Sequence, residues 1–162
     1  MRRGIPQDAW KAWLAAGLWL ALIAVESTDL LSANNTGHFL YALVTYLFGH
    51  IDPVKFSHWH HIARKLGHIV GYGILSVLLF RAWQATLPLA GARRWSWRWA
   101  QVAFLMTALV ASLDEWHQSF IPSRTGTWRD VVLDSTAALL AQLLLYLLLR
   151  GWRARVAQEV SP

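Results

Sequence analysis

Three runs of polar residues in this chain have the types and spacing to do chemistry. In the first, Arg64-Lys65-Leu66-Gly67-His68-Ile69-Val70-Gly71-Tyr72, residues Lys65, His68 and Tyr72 stand at i, i+3 and i+7. That spacing puts a cation, a titratable imidazole and a phenol on one helix face, which Ser76 extends. In the second run, Asp114-Glu115-Trp116-His117-Gln118-Ser119-Phe120-Ile121-Pro122-Ser123-Arg124, Asp114 and Gln118 are one turn apart. Glu115 lies about 100° round the helix from Asp114 and faces a different neighbour. Pro122 ends the helix and lets Arg124 turn back over it, bringing a planar fork suited to a carboxylate or a phosphate. The third run opens with Thr127-Trp128-Arg129-Asp130 and places Asp130 and Asp134 one turn apart, with Ala137 and Ala141 continuing the face.

His68 and Asp114 are the candidates for general acid or base. Lys65, Tyr72, Glu115, Gln118, Arg124, Arg129, Asp130 and Asp134 are the candidates for binding. Each run also has a structural role open to it. Lys65 can snorkel to an interface, an Arg–Asp/Glu pair can lock two helices, and Asp130 suits the positive end of a helix dipole. Asp134 is a full turn deeper and is less readily explained that way. Glu26 and Asp29 read as residues that mark the end of an apolar run. His58, His60 and His61 read as interfacial loop residues rather than a ligand set. His68, His117 and the carboxylates could supply hard ligands, but no ligand spacing specifies a metal, and neither a metal nor a cofactor is expected. The chain has no Gly-rich phosphate loop, nucleophile elbow or Ser/His/Asp order, and it has no cysteine.

The elements that must position these residues are apolar. Of the 162 residues, 56% are hydrophobic and only 15% charged, against roughly a quarter in soluble proteins. Four long apolar segments, 10–28, 64–87, 99–121 and 128–150, predict four membrane-spanning helices, each with polar residues at one or both ends. A fifth apolar piece, 39–48, covers roughly 15 Å as a helix, about half a bilayer core. It predicts an interfacial or re-entrant helix between spans one and two, broken by Asp52-Pro53. Tryptophans near the segment ends (Trp10, Trp13, Trp95, Trp97, Trp99, Trp128, Trp152) predict an aromatic belt. The expected architecture is a single all-α membrane domain over residues 1–162, with the first helix retained.

Ten of the fifteen basic residues fall at the N-terminus (Arg2, Arg3, Lys11), in the second turn (Arg81, Arg93, Arg94, Arg98) and at the C-terminus (Arg150, Arg153, Arg155). Four spans put these three regions on one side, which the positive-inside rule makes cytoplasmic. The net charge of +6 therefore reads as membrane orientation rather than as nucleic-acid binding. Seven of the nine acidic residues then fall on the outer side, so the three polar runs are expected to converge near the outer leaflet.

Over roughly residues 60–145 the chain resembles the VanZ-like family of bacterial membrane proteins. Three blocks carry the resemblance: Lys65-x-x-His68-x-x-x-Tyr72; Asp114-Glu115-x-x-Gln118-x-Phe120-x-Pro122-x-Arg124; and Asp130-x-x-x-Asp134. The chain departs from the family pattern at Arg64, Ile69, Ser123, Asp134 and Ala137, where Asp, Phe, Gly, Asn and Gly are usual. The resemblance implies a multi-pass cell-membrane protein of the cell envelope and a link to low-level resistance to teicoplanin-type glycopeptide antibiotics. The leading expectation is a site for an anionic lipid, a lipid-linked envelope precursor or a lipoglycopeptide, with Lys65 and Arg124 on the head group. An enzyme acting on a phosphate-bearing lipid, and a structural subunit whose polar cluster is a helix lock, remain alternatives.

Overall fold

A computed structural model describes residues 9–87 and 95–159, apart from the side chains of 30, 33, 34 and 150–159. The described residues are helical throughout, with no strand: α1 (Ala9–Glu26), a single 3-10 turn (Asp29–Leu31), α2 (Ala33–Phe48), α3 (Pro53–Thr86), α4 (Trp97–Gln118) and α5 (Trp128–Glu159). Arg2, Arg3, Arg93 and Arg94, and the side chains of Arg150, Trp152, Arg153 and Arg155, lie outside the described residues.

Three helices are long and apolar enough to cross a membrane: Ala9–Glu26, Pro53–Thr86 and, within α5, Trp128–Leu149. The packing is inside-out relative to a water-soluble bundle. Leu139, Leu140, Leu143, Leu144, Leu147 and Leu148 of α5 all point outward, while Asp134, Ala137, Ala138 and Gln142 are buried. A solvent of hydrocarbon removes the penalty for outward leucine, and small inward residues let backbones approach closely. Gly73 of α3 sits against Ala137 and Ala141. Beside it Gln142 Nε2 donates to Ser76 Oγ (2.8 Å) and to the Ser76 carbonyl (2.9 Å).

The long central helix α3 touches each of the other four helices, and α4 also packs on α5. Cross-contacts give the directions. Trp13 of α1 donates to Thr86 near the end of α3, and Trp19 to the Gly71 carbonyl, so α1 and α3 are antiparallel. The pairs Lys65–Asp130 and Ser76–Gln142 advance together, so α3 and α5 are parallel. Phe80 packs on Trp99 while Tyr72 reaches Asp114, so α4 runs opposite to both. The end of α1, the first half of α3, the end of α4 and the start of α5 therefore meet at one end of the bundle.

Two elements differ from the sequence expectation. Asp52-Pro53 does not break a chain between elements; it starts α3, with Asp52 Oδ1 accepting from Val54 N–H (2.9 Å) and Pro53 in the first turn. The helix thus begins eleven residues before position 64. Hydropathy hid this turn-rich segment because its residues are polar, yet none between Pro53 and Gly67 breaks a helix. His58, His60 and His61 are consequently helical: His60 stacks on Phe56 and pairs with Thr36, and the three share no common point. The 39–48 piece is the second half of the 16-residue α2, capped by Ser32 and ended at Gly49 with φ 85°. The tryptophans also divide. Trp10, Trp97 and Trp128 are exposed, but Trp99 is buried and donates to the Leu87 carbonyl, and Trp13 is tied to Thr86.

Candidate functional site

Four side-chain contacts tie the helix ends together. Lys65 Nζ lies 3.1 Å from Asp130 Oδ1. One turn further, His68 Nδ1 lies 3.3 Å from Asp134 Oδ2. Another turn on, Tyr72 donates to Asp114 Oδ2 at 2.7 Å. The i, i+3, i+7 face of α3 therefore meets α5 with its first two members and α4 with its third. Each cation or donor has a carboxylate opposite, which is how charge survives inside an apolar bundle. His68 also stacks on Tyr72 at 6.1 Å.

Thr127 joins α4 to α5. It is the N-cap of α5: its hydroxyl accepts from Asp130 N–H (3.3 Å) and donates to Asp130 Oδ2 (2.9 Å). Its own N–H donates to Glu115 Oε2 at 2.8 Å. Gly126 makes this possible. A Cβ there would collide with the Glu115 carbonyl and stand 2.8 Å from Ser119 N. Gly126→Ala is therefore expected to push the loop off α4, break the Thr127–Glu115 bond and lower stability by about 1–3 kcal/mol. Thermal melting in detergent checks this, and an unchanged midpoint would contradict it.

Arg124 is buried, and the structure places it differently from the sequence expectation. Its Nη2 donates to the carbonyls of Glu26 and, at 2.8 Å, of Thr28, rather than to Asp114 or Glu115. Helix α1 ends at Glu26 with no basic residue in its last turn, so Arg124 supplies the cation that its orphan carbonyls need. Ser123 donates to Asp29 alongside. Burial pulls the Arg124 guanidinium below its ordinary value, and Asp114, Asp29, Glu115 and Glu26 pull it back up; it stays charged.

The remaining candidates separate. Gln118 is buried beside Asp114 and Tyr72, among residues lining a small internal space. Arg129 is exposed and lies over the ring of its neighbour Trp128 at 5.9 Å, facing away from the cluster. Sequence reasoning gave no role to Arg64, which donates to the Leu31 carbonyl at 2.9 Å, nor to Ser27, which pairs with His117 at 3.1 Å. Arg64 shares a face with His61 and His68, a signal open to the same helical counting. The Thr127-x-x-Asp130 cap is likewise a sequence-level signature.

Two openings meet at this end. A polar cavity of about 130 Å³ is lined by Arg64, Lys65, His68, Glu115, Arg124 and Asp130, among others. A larger, more apolar groove of about 350 Å³ runs between α2 and α3, past Leu31, Leu40, Ala63 and Gly67. Arg64 and His68 belong to both walls.

An outward-facing apolar bundle that gathers its buried charge at one end is the architecture of an integral membrane protein. The family model described as VanZ/LLP1 matches residues 12–150, and the chain belongs to that family. No curated protein and no solved structure matches it significantly.

Proposed function

We propose that this end of the bundle binds an anionic amphiphile, a phosphate-bearing lipid or lipid-linked envelope precursor, at the outer face of a bacterial membrane. The observation that carries this reading is the shared wall: a polar cavity and an apolar groove open side by side across Arg64 and His68. Arg64, Lys65 and Arg124 bring three cations to a cavity with two carboxylates, Glu115 and Asp130. A head group would rest against Lys65 and Arg64, and an acyl chain would leave through the groove along α2. Because Arg124 caps α1, it positions that wall rather than serving as the main contact. A lipoglycopeptide of the teicoplanin type combines the same chemistry and is a further occupant of this class.

The proposal includes four spans, with α4 crossing between α3 and α5. Its 22 residues reach about 33 Å. Helix α2, about 24 Å long with Tyr46 and Phe48 exposed, lies along the interface. Both termini then fall on the cytoplasmic side.

Titration of the purified protein with a fluorescent phosphatidylglycerol analogue tests the reading. Lys65→Gln and Arg64→Gln are each expected to weaken binding about tenfold, the loss of one charge-assisted hydrogen bond, and a phosphatidylcholine analogue is expected to bind less well. Equal binding by both analogues and all variants would contradict it.

A second reading is favoured by one contact. His68 is oriented through Nδ1 by a buried carboxylate while its ring borders the cavity. That is the arrangement of a general base with its positioning partner, so an enzyme acting on the same lipid is the alternative. Turnover of a phosphate-bearing lipid, lost in His68→Gln, would establish it; no turnover across an envelope-lipid panel would remove it.

A further inference from the structure

Beneath the polar cavity, one group lacks the partner its burial demands. Asp134 is 0% exposed. Its Oδ2 faces His68, but its Oδ1 has no hydrogen-bond partner. Carboxylate oxygens stripped of water need a donor or a cation. Three ligand atoms gather at this point: one each from His68, Glu115 and Asp134, all within 4.8 Å of one another.

We propose that His68, Glu115 and Asp134 bind a divalent transition-metal ion, with Mn²⁺ and Zn²⁺ the best matched. The donor set, one imidazole and two carboxylates with no thiolate, suits borderline-to-hard divalent ions. Two carboxylates and a neutral imidazole carry two negative charges, which a divalent ion cancels where the bundle otherwise holds them uncompensated. Donors bound at ordinary metal distances stand about 3 to 3.5 Å apart, so the cluster contracts modestly as the ion enters. The His68–Asp134 contact opens to admit it, and rotation of the Glu115 side chain closes the remaining gap. Thr127 N–H already orients Glu115 from behind, the kind of outer contact that fixes a ligand. Access exists because His68 and Glu115 line the outer cavity, with Asp134 beneath them. Lys65 is held to Asp130 one turn above.

The proposal does not depend on the cavity taking a lipid, and its failure would leave the lipid reading intact. The test uses the full chain in mild detergent, purified with a histidine-free tag, stripped with a chelator and then titrated with Mn²⁺ or Zn²⁺. Metal content by plasma mass spectrometry is expected to reach about one ion per chain, with binding at least about tenfold weaker in Glu115→Gln and Asp134→Asn. Asp52→Asn, at the far N-cap of α3, is expected to bind as the wild type does. Should either site variant fail to fold, the wild type alone decides, because saturating ion must also raise its melting midpoint. No retained ion and no shift in the wild type would overturn the proposal. So would equal retention in folded Glu115→Gln and Asp134→Asn, with adventitious binding elsewhere as the explanation.

Discussion

His68→Ala is expected to lower the stability of the detergent-solubilised protein by about 3 kcal/mol or more, the range for breaking one side of a buried pair. Asp134 is fully buried, and His68 is the partner of its Oδ2. With the imidazole gone, neither carboxylate oxygen has a donor. The ring also packs on Tyr72, which holds Asp114, so the damage spreads from α5 to α4. Denaturant unfolding reads the effect directly. A loss under about 1 kcal/mol, the range of an ordinary surface substitution, would mean that the His68–Asp134 contact is not a structural tie. The double change His68→Ala with Asp134→Ala removes both partners and is expected to recover part of the loss.

Arg124→Ala is expected to lower stability by about 2–3 kcal/mol, in line with charge-assisted hydrogen bonds to otherwise orphan groups. The guanidinium spans the carbonyls of Glu26 and Thr28 from a loop about a hundred residues later in the chain. No basic residue in the last turn of α1 can replace it. The effect is expected to be local: hydrogen exchange should quicken at the end of α1 and through residues 27–31, while the Ser76–Gln142 contact holds. Arg124→Lys keeps the charge but not the fork, and it is expected to recover only part of the loss. Full stability in Arg124→Ala, with binding alone reduced, would return this residue to the head-group role that its sequence context first indicated.

Helical phase made much of this end of the bundle legible before any coordinates. Lys65, His68 and Tyr72 do share a face, and Asp130 and Asp134 do meet its first two members. Counting residues along a helix fixes which side chains look the same way, and the expense of buried charge makes them look toward one another. The partners were not legible, because pairing depends on how deeply each helix is seated. Nothing in the spacing says that Tyr72 reaches Asp114 while Glu115 turns to a backbone N–H. Arg124 shows the limit most clearly: its neighbours in sequence are carboxylates, but its partners are carbonyls on a helix at the other end of the chain. Hydropathy misplaced the start of α3 because a helix that leaves the hydrocarbon region can continue with polar residues. It also placed every segment-end tryptophan in a belt, whereas Trp13 and Trp99 serve contacts between helices.

The central claim, an anionic amphiphile seated across Arg64 and His68, is tested most directly by the lipid the protein carries from its own membrane. The measurement is mass spectrometry of lipid released from the wild type and from folded Lys65→Gln, both extracted in mild detergent. A defined anionic, phosphate-bearing lipid enriched over the membrane average in the wild type, and about tenfold depleted in the variant, is the expected result. The same unselective lipid profile in both proteins would contradict it and leave the polar cluster as a lock between helices.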